Sequence, residues 1–331
     1  MNPVPDTPQK SLRDISVKYG ASMLFMIFSY IVLGIVLNII FSIIIQLVTG
    51  KTGLDTSTDA GYAFYLFINS FVSYVPLFLM FGILFRRDIA ETAYLTPYPK
   101  TGGELIILFL AGGCLARTGA LITSFISTAL NDLFDVPRPE MAFADSISQS
   151  TAQFIIFEIF GVIVAPICEE LLYRHLLLRP MRKYGDMAAA VISALMFGLG
   201  HFNFDQFLYT FLFGFTLAVV AIRRNSVVPA IILHMINNIM AGFSSYLPET
   251  FGNELADTIF AEVAESMVLF GWIMLFGGAV AVVIAVIKHL FVFRQPDQMT
   301  DAGEFRVIFT TPVVLIGIAA SLVLTFVMLY K

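Results

Sequence analysis

The chain has 331 residues, 58% of them hydrophobic and only 13% charged, where a soluble domain carries roughly 25% charge. At a mean hydropathy of +0.85 it has too little polar surface to cover itself in water, so the fold class is an all-α, polytopic membrane helical bundle. A net charge of −5 and a pI near 5.4 exclude a nucleic-acid partner, because phosphate binding wants a basic face.

A helix needs ~20 apolar residues to cross ~30 Å of hydrocarbon. By that measure the chain holds about eight to nine transmembrane helices, at 21–48, 62–85, 104–130, 152–177, 187–202, 205–222, 227–245, 265–293 and 307–330. The fifth and sixth are short and share a tight connection around His201 and Asp205, which predicts tilted or partly spanning segments. The first twenty residues are polar and the first apolar run is too long for a signal-peptide core, so no removable leader is expected. Cys114 and Cys168 sit in apolar runs and form neither a disulfide framework nor a CxxC metal site.

Basic residues fall on alternate loops. Lys10, Arg13 and Lys18 precede the first segment; Arg86, Arg87 and Lys100 follow the second; Arg179, Arg182 and Lys183 follow the fourth. Arg223 and Arg224 follow the sixth, and Lys288 and Arg294 end the eighth. The opposite loops are poor in basic residues, and the longest, about 246–264, carries Glu249, Glu254, Asp257 and Glu262 with no Lys or Arg. Lys/Arg bias then predicts a cytoplasmic N-terminus and an external C-terminus, in a bacterial cell membrane, with nine crossings. No repeat or soluble module interrupts the pattern, so residues 1–331 read as one membrane-embedded domain and any catalytic site lies within the bundle.

An ionisable side chain inside a span costs roughly 2.5–3.5 kcal/mol on insertion scales and persists when it faces the bundle with partners. These residues concentrate in the middle third of the chain. The fourth segment reads Ala165-Pro166-Ile167-Cys168-Glu169-Glu170-Leu171-Leu172-Tyr173-Arg174. Glu170 and Arg174 are four apart and can pair on a helix. Glu169 sits ~100° around from Glu170 and points elsewhere. Either all three form a structural ion network, or Arg174 anchors Glu170 while Glu169 faces a wet cavity, where a carboxylate suits general-base work. The fifth segment ends Phe197-Gly198-Leu199-Gly200-His201, and the seventh carries His234-Met235-Ile236-Asn237-Asn238. His234 and Asn238 share one helix face, with Asn237 at its edge. A lone buried His is more often a hydrogen-bonded core residue, and a His–Asn pair can simply join helices. Their joint occurrence is stronger. Counted from the basic ends at ~1.5 Å per residue, Glu169 lies ~13 Å deep, His234 ~10 Å and His201 ~21 Å, which predicts one pocket in the cytoplasmic half or near the midplane.

Together these stretches resemble the CPBP family of intramembrane proteases, also called the Abi or CAAX-protease family, whose eukaryotic members are the type II CAAX prenyl endopeptidases. The pattern EExxxR matches Glu169, Glu170 and Arg174; FxxxH matches Phe197 and His201; HxxxN matches His234 and Asn238. The likeness covers about 150–245, the expected protease core, and departs from many members in placing His175 rather than a glycine after Arg174. It implies a glutamate-dependent hydrolase buried in the membrane. Glu169 with His201 would activate a water, His234 and Asn238 would donate to the oxyanion, and Glu170 with Arg174 would hold the site. The same likeness leaves a metal reading open, with Glu169, His201 and His234 as a zinc-like set. No HExxH supports it, so the expected mechanism needs no cofactor.

The remaining polar residues take structural readings: Arg117 pairing with Glu158, His289 at the interface, and Asn203 and Asp205 near the cavity mouth. A Cys168–His201 protease is disfavoured by the neighbouring acid. The expected partners are a peptide or membrane-protein substrate and membrane lipid. Two other readings compete: a non-catalytic membrane regulator of the bacteriocin-immunity type, and a proton-coupled transporter, which would show matching broken halves.

Overall fold

The computed structural model describes residues 8–50, 53–91, 98–100, 102–134, 150–244, 254–293 and 301–329. Among them every regular element is helical. Pro8–Phe28, a π-helical stretch Ser29–Leu33 and Gly34–Thr49 run on as one long helix, α1. Asp59–Glu91 is α2 and Glu104–Phe134 is α3. The next helix, α4, alternates Thr151–Ile159, Ala165–Glu170 and Arg179–Arg182 with π stretches at Phe160–Val164 and Leu171–Leu178. Asp186–Leu199 is α5, Phe204–Arg224 α6, Val228–Ser244 α7, Glu254–Ile287 α8, Asp301–Phe309 α9 and Pro312–Leu329 α10.

A helix lies at each of the expected segments, but not all are equal. Five are long and apolar enough to cross a membrane, or six if the pair Gly303–Phe309 and Pro312–Met328, bent by 68°, counts as one span. At 14 residues α5 reaches ~21 Å, short of the hydrocarbon thickness, because Gly200 and the His201–Phe202 turn end it early. The eight or nine crossings expected from hydropathy therefore reduce to five or six by this measure, and α4, α5 and α7 fill the space between them. Those three carry the polar motifs.

Packing follows the small residues. α3 is gripped by α6 on one side and α8 on the other, and α6 also packs on α5 and α7. Gly119 lets α3 meet the backbone of Tyr209 on α6, where an added Cβ would sit 3.0 Å from its N and Cα. Gly20 does the same for α1 against α10, with Val313 carbonyl carbon 2.5 Å from any added Cβ. Small residues at such crossings let membrane helices approach closely.

The basic clusters converge at one end of the bundle. Lys18 of α1 pairs with Asp88 of α2 at 2.6 Å, and Lys183 reaches the same carboxylate at 3.7 Å. Arg182 binds Asp186 at 2.7 Å and Asn225 at 3.0 Å, and Tyr98 donates to Asp186 at 2.8 Å. Arg223 and Arg224 both hold Glu104, and Arg223 also reaches the Leu290 carbonyl at the end of α8. Four loops and the start of α1 thus share one polar layer, as alternating segments require. Residues 246–253 of the acidic loop, Arg294 and the last two residues lie outside the described residues.

Candidate active site

Glu170 is fully buried. Its Oε1 accepts from His234 Nδ1 at 2.9 Å, and its Oε2 lies 3.2 Å from Arg174 Nε, a pairing by charge without hydrogen-bond alignment. Arg174 is equally buried. Its Nη2 donates to the Gly214 carbonyl of α6 at 2.9 Å, and its guanidinium carbon lies 4.6 Å from the centre of the Phe197 ring. A charge pair so enclosed must have its remaining donors occupied or covered, and the aromatic face covers one side.

Glu169 behaves differently. Its Oε1 accepts from Tyr74 OH of α2 at 2.9 Å, and its Oε2 lies 3.7 Å from His234 Nε2. Its side chain keeps 16% exposure where Glu170 keeps none, because it reaches the wall of a cavity of about 310 Å³. His201, Tyr74, Asn69, Ser29 and Asn38 line the same cavity. Tyr74 stands 14 residues from Asp88, so the cavity wall at this point lies ~21 Å from the ion-paired end.

His201 donates its Nδ1–H to the Phe197 carbonyl at 2.8 Å, which leaves Nε2 as the basic nitrogen. Phe197 organises the site: Arg174 covers its face, while His201 and His234 meet it edge-on at 4.9 and 5.7 Å. The next turn is made by Phe202 at φ 46°, a left-handed conformation that a bulky side chain rarely adopts, and strain of this kind gathers at functional sites.

His234 is sandwiched between the two glutamates at only 4% exposure and stands behind Glu169 rather than on the cavity wall. Asn238 is one turn further along α7. Its Nδ2 donates to the Gly161 carbonyl in the first π stretch of α4 at 2.9 Å, and its Oδ1 accepts from Asn237. One amide hydrogen of Asn238 stays uncommitted.

Among the described residues no three His, Cys, Asp or Glu side chains gather closely enough to hold a metal ion. His234 points its ring nitrogens at the two carboxylates, at 2.9 and 3.7 Å, and His201 commits Nδ1 to the backbone.

Several expected neighbours are elsewhere. Arg117 and Glu158 do not pair: the guanidinium packs over Gly271 of α8 and the carboxylate over Gly242 of α7, because α3 and the outer half of α4 face different helices. Asn203 caps α6 through the Gln206 amide at 3.1 Å, and Asp205 accepts from Ser127 of α3 at 2.8 Å, so both serve helix packing, not the cavity mouth. His175 lies 3.2 Å from Arg179, and His289 makes the turn after α8 at φ 52°. Tyr74 and Asn69 were invisible in the motif reading. The available signal was a polar group, Asn69, Ser73 and Tyr74, recurring on one face of an otherwise apolar span.

Residues 151–240 match the family described as Type II CAAX prenyl endopeptidase Rce1-like. No curated protein and no solved structure matches the chain. The matched stretch runs from α4 into α7 and contains Glu169, Glu170, Arg174, His201, His234 and Asn238. Over residues 151–240, about a quarter of the chain, the protein is thus similar to the type II CAAX prenyl endopeptidases, and with its membrane-length apolar helices this likeness supports an integral membrane protein and a CAAX-type intramembrane protease in general.

Proposed function

We propose that the protein is an endopeptidase that hydrolyses a peptide bond of a membrane-associated or lipidated peptide or protein, inside the bilayer. One observation carries the reading: Glu169, the less enclosed of two adjacent carboxylates, shares a cavity with a histidine whose basic nitrogen is uncommitted. Glu169 and His201 Nε2 draw a proton from a cavity water. The water oxygen bonds to the scissile carbonyl carbon, and charge develops on the carbonyl oxygen. The free amide hydrogen of Asn238 donates to that oxyanion, and His234, held behind Glu169 by Glu170, is the second donor that the family likeness implies. Donors of this kind are worth about 2.7–4 kcal/mol each. The proton held by Glu169 then passes to the leaving nitrogen as the C–N bond breaks, giving a free acid and a free amine. Tyr74 fixes the second oxygen of Glu169, and the Glu170–Arg174 pair holds His234 against α6. A prenylated C-terminal substrate follows from the family likeness.

The test is cleavage of a mixed set of lipidated and unlipidated peptides by the detergent-solubilised protein, comparing wild type with Glu169→Ala, with and without a strong chelator. Cleavage that disappears in Glu169→Ala and ignores chelator supports water activated by protein residues alone. Cleavage that persists in the variant removes Glu169 from its role. Cleavage abolished by chelator overturns the metal-free route. No cleavage by folded wild type shifts the reading to a non-catalytic regulator.

A further inference from the structure

The second half of α1 is an anomaly in a tightly packed molecule. From Gly34 to Thr49 none of its residues is buried. Its surface forms one wall of an open groove of about 900 Å³, closed on the other side by Leu324, Val327 and Met328 of α10. Tyr30, Gly34 and Asn38 line both this groove and the cavity that holds Glu169 and His201, so the two spaces adjoin at these residues. The junction is marked by the π stretch Ser29–Leu33, and the Tyr30 ring packs there at a tilt against Phe202, 4.8 Å between centres. Local π turns of this sort often mark functional positions.

Along the groove, apolar walls are interrupted by one row of polar side chains: Asn38, Ser42 and Gln46. They are four residues apart, or ~6 Å per step along the helix. An extended polypeptide presents a backbone N–H and C=O to the same side once every two residues, at ~6.6 Å. The two spacings nearly coincide. In hydrocarbon an extended backbone needs a partner for each such group, whereas a helix satisfies its own and a lipid chain has none to satisfy. Hydrolysis at Glu169 in turn needs an unwound chain, because a helical carbonyl is already bonded.

We infer that this groove holds an extended polypeptide segment of the substrate and feeds its scissile bond into the Glu169 cavity. The inference rests on the protease reading and adds the substrate's track, on helices outside the Rce1-like segment. From Tyr30 to Gln46 the groove is ~24 Å long, enough for about seven extended residues.

The first test needs no turnover. The full chain carrying Glu169→Gln and Ser42→p-benzoylphenylalanine is illuminated with a biotin-tagged, mostly apolar peptide longer than the groove. Ile40→p-benzoylphenylalanine, at the same depth but on the other exposed face of α1, is the control. The inference expects cross-linking at position 42 in several-fold excess over position 40, reduced by untagged peptide and not by free prenol. Equal labelling at both positions, no labelling, or displacement by prenol alone overturns it. The second test uses the best-cleaved peptide and a version trimmed to the residues beside the scissile bond. Ser42→Trp, which fills the groove away from the catalytic residues, should raise KM several-fold for the long peptide and leave the short one unchanged. Equal effects on both lengths overturn the groove while leaving the protease reading intact. Failure of the wild type to cleave either peptide counts against the protease reading, and the cross-link still decides the groove.

Discussion

The polar side chains of α4 and those of α1 stand in opposite circumstances. On α4, Glu170 and Arg174 are sealed from solvent and tied to α7, α6 and an aromatic face. On α1, Asn38, Ser42 and Gln46 lie open along a groove, and among the described residues their one side-chain bond is Asn38 to the Gly34 carbonyl of its own helix at 2.8 Å. In a lipid solvent a polar group with tertiary partners is part of the framework. One kept without them is a cost that function has to justify. Glu169 stands between the two cases, with two partners and one side on the cavity.

The sharpest way to separate framework from function is to remove the two glutamates one at a time. Glu169→Ala should lower kcat by roughly 10²- to 10⁴-fold, the usual range for a positioned general base, with little change in the melting midpoint. Arg174→Met should do the reverse. It strands Glu170 as a buried, uncompensated charge, a loss of roughly 3–5 kcal/mol seen as a lower melting midpoint and poor yield. Combining it with Glu170→Leu should restore the midpoint without restoring turnover, since His234 would still lack its anchor. Equal midpoints for Glu169→Ala and Arg174→Met would erase the distinction.

How far the sequence exposed this division depends on the kind of contact. The Glu170–Arg174 pair was legible because four-residue spacing on one helix sets it without help from the fold. Convergence of His201 and His234 on α4 rested on the joined motifs, and depth counting gave His201 the depth of the cavity wall but set Glu169 too shallow, because α4 runs on to Arg182 at the ion-paired end. Arg117 and Glu158 failed as a pair because nothing in the spacing of two separate helices says which faces meet. Five or six of the described helices reach membrane length where the sequence offers eight or nine apolar segments, because an apolar run reports lipid or protein surroundings alike and α5 is almost entirely enclosed by protein. Tyr74 escaped notice because its only mark is a hydroxyl on an apolar aromatic body, and its partner lies 95 residues away.

Tyr74 supplies a milder test of the boundary. Tyr74→Phe deletes the donor to Glu169 and leaves the ring. A hydrogen bond to a charged group is worth about 1.5–3 kcal/mol, so kcat should fall about tenfold or somewhat more. KM should hold, since the ring that faces the cavity remains. A graded set of fluorinated tyrosines at this position would vary the acidity of the hydroxyl at nearly constant shape. A rate that follows acidity marks a positioning role, and a flat response marks packing alone.

The smallest effect belongs to the groove. Ser42→Ala removes one polar contact and almost no volume, on a stretch of α1 where no residue is buried. A neutral hydrogen bond is worth so little in net terms that KM for a long substrate should rise only about two- to tenfold, with kcat and the melting midpoint unchanged. For a peptide too short to reach past Asn38 the same substitution should have no effect. The two framework residues of α4 cannot give such a pattern, because their loss is felt by every substrate. A Ser42→Ala variant that loses stability, or that slows short and long peptides alike, would place α1 with the framework and remove the contrast between the two helices.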